Sequence, residues 1–183
     1  LHLVDVKKAN AYFEKGLSLG TYADMEYGYQ AYDMYTAHQA PQLKGGDKVL
    51  AYEYALKTLT ENFNKYPYDA RTATYLGHVM DTAPLGIVID DVFDKEVLDR
   101  AIELSPLRAQ AWYMTVNISL RKADALPEGS SARVEYYKDA IKILEEYSAK
   151  EPLLPVPRYI LATIYYKLGD YPTAGEWADS ALP

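Results

Sequence analysis

The sequence predicts an all-α protein, a right-handed solenoid of about four irregular helical hairpins built from about nine helices. Three observations support this fold class. Two alanines that stand seven residues apart, Ala174 and Ala181, leave room for two helices to approach closely. Clusters of Pro, Gly and Ser interrupt the chain, and these residues end helices. No run of alternating apolar and polar residues indicates a sheet, and we interpret "GIVID" (86–90) as part of a loop.

The predicted helices follow one another along the whole chain. Asp90 is expected to cap the N terminus of the fifth helix, because a short acidic side chain can accept hydrogen bonds from free backbone N–H groups. Gly169 and Asp170 are expected to form the turn between the last two helices. The nine predicted segments are 5–19, 22–38, 47–65, 69–82, 90–104, 108–124, 131–150, 156–168 and 171–182.

The segment "IYYKLGDYPTAGEWADSAL" (164–182) resembles the second half of a tetratricopeptide repeat, a unit of about 34 residues with two antiparallel helices. With Pro155 at repeat position 1, the resemblance puts Ala174 and Ala181 at positions 20 and 27, where small side chains let the helices pack closely. Position 4 departs from the family pattern, since Arg158 stands where a large aromatic residue is usual.

Earlier copies of the repeat follow the same register with insertions inside the hairpins. Ala140 and Tyr147 take positions 20 and 27 of one copy, Trp112 takes position 4, and Gly16 takes position 27 of the first. Residues 1–183 are therefore expected to form one repeat domain. Because the chain opens inside the second helix of a repeat and begins with Leu1, we expect it to be part of a longer protein.

The composition of the chain argues against several classes of function. The 183 residues carry a formal net charge of −7, which argues against binding to nucleic acid or to anionic lipid, since both need a basic surface. The chain has no cysteine, which excludes disulfides and thiol chemistry within it. No apolar run approaches the roughly 20 residues of a membrane-spanning helix.

No pattern of catalytic or metal-binding residues emerges. None of the three histidines, His2, His38 and His78, stands four residues from another, so they lack zinc-ligand spacing. The acidic run "DDVFDKE" (90–96) lacks the spacing of a calcium loop and is interpreted as a helix start. No serine has the setting of a nucleophile, and the glycosylation pattern at Asn117 is interpreted as chance. We therefore expect no enzyme activity, no cofactor and no metal.

The 19 tyrosines are interpreted as packing between helices, and a tyrosine-lined binding or assembly face is the alternative. The tetratricopeptide resemblance implies a concave groove lined by set positions of each first helix. We therefore expect a scaffold that binds a peptide, a partner protein or a glycan. Some members of this family bind chaperone tails in a pocket where Lys, Asn and Arg side chains hold a carboxylate. Only Asn117 and Arg121 match that set, so a chaperone tail is not predicted as the ligand. The predicted groove residues are Tyr32, Tyr35, Arg71, His78, Tyr113, Asn117, Arg121, Tyr159, Tyr166 and Lys167.

Two further hypotheses remain open. The terminal segment "GEWADSALP" (175–183) has no charged capping helix, so copies could stack end to end into an extracellular filament. More weakly, residues 12–30 and 101–114 resemble the extracytoplasmic repeat tail of bacterial O-antigen ligase and polymerase membrane proteins. That resemblance implies an extracytoplasmic, envelope-associated setting in bacteria but no ligase activity, because the residues that would carry it are not in this chain.

Overall fold

The protein is described by a computed structural model that covers residues 5–20, 23–36, 43, 45–87 and 90–182. These ranges contain nine α-helices and no strand, which confirms the all-α prediction. Each helix end falls within about two residues of its predicted position. Residues 22, 37 and 38, at the ends of the second predicted helix, lie outside the described residues, as do 88 and 89 of "GIVID". The helices are α1 (Val6–Ser18), α2 (Asp24–Thr36), α3 (Gly46–Lys65), α4 (Ala70–Asp81), α5 (Asp91–Leu104), α6 (Ala109–Asp124), α7 (Ser131–Lys150), α8 (Pro155–Lys167) and α9 (Tyr171–Ser180).

The chain forms two compact units, which we call unit 1 (within Leu1–Leu104) and unit 2 (within Ser105–Pro183). In unit 1, α1 packs on α2 and α3, and the hairpins α2–α3 and α4–α5 pack together through α2, α3 and α4. In unit 2, the hairpins α6–α7 and α8–α9 pack together through α7 and α8. The expectation of a single repeat domain over residues 1–183 stays a prediction.

Short polar side chains fix where the helices begin. Asp90 Oδ1 accepts hydrogen bonds from the backbone N–H groups of Val92 and Phe93 at 2.9 and 3.3 Å, as predicted. Asp170 caps α9 by accepting from the N–H of Thr173 at 3.2 Å. The residue before it, Gly169, has a φ of 80°, a left-handed conformation that glycine adopts without steric cost. The predicted Gly169–Asp170 turn is therefore confirmed.

Small residues bring the helices of each unit into close contact. Ala174 and Ala181 are 8% and 5% exposed, as their packing role requires. In unit 1, a Cβ atom added at Gly16 would overlap with the hydroxyl group of Tyr27, so the Tyr27 side chain of α2 uses the space that a larger residue at this position of α1 would take. Ala140 is fully buried in the core of unit 2, together with Leu144 and Leu161.

The contacts of Arg158 explain why it can stand where the repeat pattern has a large aromatic residue. Trp112, the aromatic residue at the matching position of α6, donates its Nε1–H to the carbonyl of Pro106 at 2.8 Å. Arg158 donates to the carbonyl of Pro152, which also stands six residues upstream, and to the carbonyl of Ser180 at 2.5 Å. The guanidinium of Arg158 thus binds a carbonyl equivalent to the one that the Trp112 indole binds. It also binds a carbonyl in the last turn of α9, where backbone carbonyls have no partner within the helix.

Candidate functional site

The predicted groove residues divide between the units, with four in unit 1 and six in unit 2. In unit 1 they lie where α2 meets α4. The rings of Tyr32 and Tyr75 stack with their centroids 3.9 Å apart and an interplanar angle of 5°. The Tyr32 hydroxyl also lies 2.7 Å from Nδ1 of His78. Because the rings of Tyr32 and Tyr75 stack between α2 and α4, they fill the space in which a groove would lie.

Tyr35 is part of the same interface. Its hydroxyl donates to the carbonyl of Thr82 at the end of α4, and its ring meets Tyr52 edge to face at 5.5 Å. Tyr32 is 8% exposed and Tyr35 is 2% exposed. The structure therefore places both tyrosines in the core of unit 1 and not on an accessible face, because the 3.6-residue period that directs them toward α4 also buries them there.

The other two predicted residues of unit 1 are more accessible. Arg71 is exposed, and its guanidinium lies over the ring of Tyr29 at 5.0 Å. His78 is half-buried. Burial lowers the pKa of His78, because the charged imidazolium is poorly solvated there, and the carboxylate of Asp81 offsets this only in part.

In unit 2 the predicted residues form two helical stripes. Tyr113, Asn117 and Arg121 recur at every fourth residue along α6, and therefore share one face of that helix. Tyr159, Tyr166 and Lys167 occupy one side of α8. Five of the six are exposed, including Tyr159 at 48% and Tyr166 at 65%. Tyr113 is the exception, since it packs edge to face on Tyr147 at 5.8 Å.

A carboxylate ties the C-terminal ends of these two helices together. Asp124, the last residue of α6, accepts from Lys167 Nζ, the last residue of α8, at 2.9 Å (Oδ1) and 2.8 Å (Oδ2). The hydroxyl of Tyr137 from α7 donates to Asp124 Oδ1 at 2.6 Å. Arg133, also from α7, donates to the same hydroxyl at 3.1 Å and lies 3.7 Å from Asp124. We call Asp124, Arg133, Tyr137 and Lys167 the α6–α8 clamp.

The clamp holds its charges in place. The hydrogen bond from Lys167, and then that from Tyr137, lowers the pKa of Asp124. The same bond to Asp124 raises the pKa of Lys167. Both groups therefore stay ionised over a wide range of pH, and the ammonium of Lys167 has a defined position.

A cavity of about 340 Å³ opens beside the clamp, between the α6–α7 loop and the α8–α9 turn. Its lining includes two cations, Arg133 and Lys167, and the exposed rings of Tyr166 and Tyr171, whose centroids lie 5.3 Å apart. Such a cavity has room for one or two side chains or a sugar ring, and it offers both hydrogen-bond donors and aromatic surface.

Tyr166 and Lys167, two of the predicted groove residues, line this cavity, whereas Asp124, Arg133, Tyr137 and Tyr171 were not among the predicted residues. Arg133 and Tyr137 are on α7, a second helix of a hairpin, and the repeat resemblance directs attention only to first helices. The insertion "ADALPEGSS" (123–131) was a signal, because it places a loop with Asp124 at one end and Arg133 just beyond the other.

Among the described ranges, no group of three or more His, Asp or Glu side chains is arranged to hold a metal ion. His2 and His38 lie outside those ranges. Nor does any helix in the described part of the chain have both the length and the apolar character needed to cross a membrane.

No protein-family model and no curated protein sequence matches the chain. Among solved structures, the chain is similar to one named MamA MSR-1 C2, at 15% sequence identity and a TM-score of 0.46. The similarity covers 96% of this chain and 91% of that one. Membership of the tetratricopeptide repeat family therefore stays a resemblance, and the helical-hairpin architecture rests on the helices and contacts described above.

Proposed function

We propose that the chain is a non-catalytic interaction scaffold whose unit 2 binds an extended segment of a partner protein along α6 and α8. The observation that carries this proposal is the α6–α8 clamp. It joins the C-terminal ends of the two helices, with Asn117, Arg121, Tyr159 and Tyr166 exposed on them and a cavity beside the clamp. Tyr and Arg are frequent anchors of binding surfaces, because they contribute large contact areas and directional hydrogen bonds.

A selection experiment tests this function. Peptides are selected from a random displayed library on the full chain, and their affinities are then measured for a variant with Tyr159→Ala and Tyr166→Ala. Both rings are exposed, so the fold should persist. We expect the double variant to lose about tenfold or more in affinity, because two anchor residues are removed.

The matched control is Tyr12→Ala, which removes a tyrosine that is 63% exposed on α1 of unit 1. This control should bind like the parent. Selected peptides that bind the double variant and the parent equally would contradict the proposal. A glycan array probed with the same three proteins distinguishes a sugar ligand from a peptide.

End-to-end self-association is a second candidate, and it is favoured by the exposed apolar side chains at α9. Tyr171 is 63% exposed and Leu182 is 61% exposed. If copies stack through this helix, sedimentation velocity should show species that grow with concentration, and Leu182→Glu should return the protein to monomers. A parent chain that stays monomeric at high concentration would exclude this assembly.

An extracytoplasmic setting belongs to the same proposal and is supported by the resemblance of residues 12–30 and 101–114 to envelope-protein repeats. Fractionation of cells that express the protein from its complete gene is the direct measurement. Recovery in the cytoplasmic fraction would contradict it.

A further inference from the structure

The cavity of about 340 Å³ beside the α6–α8 clamp, which we call the clamp cavity, has a wall of aromatic rings. Tyr166, in the last turn of α8, is 65% exposed, and Tyr171, at the start of α9, is 63% exposed. Their ring centroids lie 5.3 Å apart, with an interplanar angle of 61°. A partner that covers these rings removes apolar area from water, which is the main source of favourable free energy in association.

The charges of the clamp cavity are balanced within the protein. Its two cations, Lys167 and Arg133, lie 2.8 and 3.7 Å from the carboxylate of Asp124. A second carboxylate, that of Glu128, lines the cavity. The hydrogen bond with Tyr137 raises the pKa of Arg133, and the negative charges of Glu128 and Asp124 raise it further. Two cations therefore face two carboxylates, so a charged side chain of a partner would lose its hydration without meeting an uncompensated opposite charge.

The cations of the clamp cavity already interact with an aromatic face. The guanidinium carbon of Arg133 lies 5.5 Å and Nζ of Lys167 lies 5.8 Å from the ring centroid of Tyr137, which also lines the cavity. Cation–π attraction operates at such distances, and it requires no charge on the partner. An uncharged ring that enters the cavity can therefore interact with the two cations as Tyr137 does, whereas an aliphatic side chain cannot. The lining thus favours an aromatic side chain.

Internal hydrogen bonds hold both ends of the clamp cavity in place. At the α6–α7 loop, Arg133 donates to the carbonyl of Leu126 at 3.2 Å. At the α8–α9 turn, the N–H of Gly169 donates to the carbonyl of Tyr166 at 3.0 Å. A Cβ atom built at Gly129 or Gly169, which both line the cavity, would meet no atom within 4 Å, so the space beside them is open. A partner would therefore bind a largely preformed cavity, which reduces the entropy lost on binding.

We propose that the clamp cavity is a specificity pocket for one aromatic side chain, a Tyr, Phe or Trp, of the partner segment. The ring packs on Tyr166 and Tyr171 and lies near the ammonium of Lys167 and the guanidinium of Arg133. This inference rests on the proposed function, because it names the kind of residue that the partner segment places at the C-terminal ends of α6 and α8.

Nuclear magnetic resonance titrations of the full chain test the pocket without a peptide. The probe is N-acetyltyrosinamide, and the comparison compounds are the corresponding amides of leucine, lysine and glutamate. The tyrosine amide should shift the backbone signals of Gly129 and Gly169 in a saturable way, and should bind about fivefold more tightly than the other amides. Equal binding of the four amides would overturn the proposal. A sugar ring also fits the cavity, so tighter binding of methyl glucoside than of the tyrosine amide would overturn it as well.

Two matched variants locate the pocket. Tyr171→Ala removes part of the aromatic wall, and Tyr12→Ala removes a tyrosine of unit 1 with the same exposed fraction, 63%. Tyr171→Ala should weaken the binding of the tyrosine amide about fivefold, and Tyr12→Ala should bind it like the parent. The proposal is wrong if the two variants bind the amide equally well. Circular dichroism melts verify that both variants fold.

The selected peptides separate this inference from the proposed function. Replacing the aromatic residue of such a peptide by leucine should lower its affinity for the parent about fivefold but change that for Tyr171→Ala little, because the same contact is already lost there. Peptides that bind through Tyr159 and Tyr166 but contain no aromatic residue would contradict the pocket and leave the proposed function in place. Binding of the tyrosine amide in the cavity, with no peptide selected, would support the pocket and contradict only the proposed function.

Discussion

The two units join the first helices of neighbouring hairpins in different ways. In unit 1, α2 and α4 meet through aromatic rings, with Tyr32 stacked on Tyr75 at 3.9 Å and bonded to His78 at 2.7 Å. In unit 2, α6 and α8 are joined at their ends through charge, with Lys167 on Asp124 at 2.8 Å. The aromatic junction is closed, whereas the charged one leaves a cavity of about 340 Å³ beside it.

This difference shows that one helical repeat can use tyrosine for two purposes. Tyr32, whose ring stacks on that of Tyr75 between α2 and α4, is part of the core and contributes to stability. Tyr159 and Tyr166 stay exposed, although the ring of Tyr166 also meets that of Tyr171, and both are available for recognition. We therefore expect the aromatic junction to stabilise unit 1, whereas Tyr159 and Tyr166 of unit 2 are exposed.

The largest expected effect is on the aromatic junction. Tyr32→Ala removes a buried ring and leaves a cavity between α2 and α4, so we expect unit 1 to lose about 3–5 kcal/mol of unfolding free energy. Urea denaturation measures this loss. Tyr166→Ala in unit 2 is the control, with an expected change of less than about 0.5 kcal/mol. Equal effects of the two substitutions would remove the distinction between the units.

A smaller effect tests whether the hairpins of unit 2 are packed as tightly as those of unit 1. Ala174 is buried where α9 meets α8, so Ala174→Leu should destabilise unit 2 by about 1–3 kcal/mol through overpacking. Thermal or chemical denaturation measures it. A melt unchanged by Ala174→Leu would show that the hairpin is loose.

At the next position, a Cβ atom on Gly175 meets no atom within 4 Å, so Gly175→Ala should stabilise α9 by about 0.5–1 kcal/mol. The same denaturation measurement checks this increase.

The charged junction should contribute less to the free energy of unfolding than the aromatic junction does. A double-mutant cycle with Asp124→Ala and Lys167→Ala is expected to give a coupling free energy of about 0.5–1 kcal/mol, because both side chains are partly exposed and water screens their attraction. The coupling should be present above the unfolded pKa of Asp124 and disappear as pH falls through its lowered folded pKa. A coupling that persists in strong acid would show that charge is not its cause.

The smallest effect concerns the histidine of the aromatic junction. Because burial lowers the pKa of His78 below about 6.5, the unfolded state takes up the proton first on acidification. The stability of unit 1 should therefore fall as pH drops through 6.5, and level off below the folded pKa. The urea midpoints of the parent and of His78→Gln at pH 7.5 and 5.5 measure this. His2 and His38 are common to both proteins, so an equal pH dependence would mean that His78 does not contribute.

Much of the secondary structure could be predicted from local chemistry. Asp90 and Asp170 cap helices because a carboxylate accepts from N–H groups two or three residues ahead, and this needs no tertiary contact. Gly169 ends a helix because it adopts a positive φ without strain. Such signals act over a few residues, which explains why the helix ends were predicted closely.

The candidate site could be predicted only in part. The helical period of α2 predicts that Tyr32 and Tyr35 face a neighbouring helix. It does not predict whether aromatic rings on that helix bury them. Arg133 is separated from Asp124 by a loop, and Lys167 is 43 residues away from it, so no local pattern links the three. The role of Arg158 also depended on a distant group, the carbonyl of Ser180 at the end of α9.

The sequence by itself determined the helices, their turns and the small residues that let them pack, because caps, breakers and side-chain size act locally. Only the tertiary structure decided which tyrosines are buried and where the α6–α8 clamp forms. These features depend on pairs of residues that are distant along the chain. Their contacts follow from how whole helices pack, which local propensity does not specify.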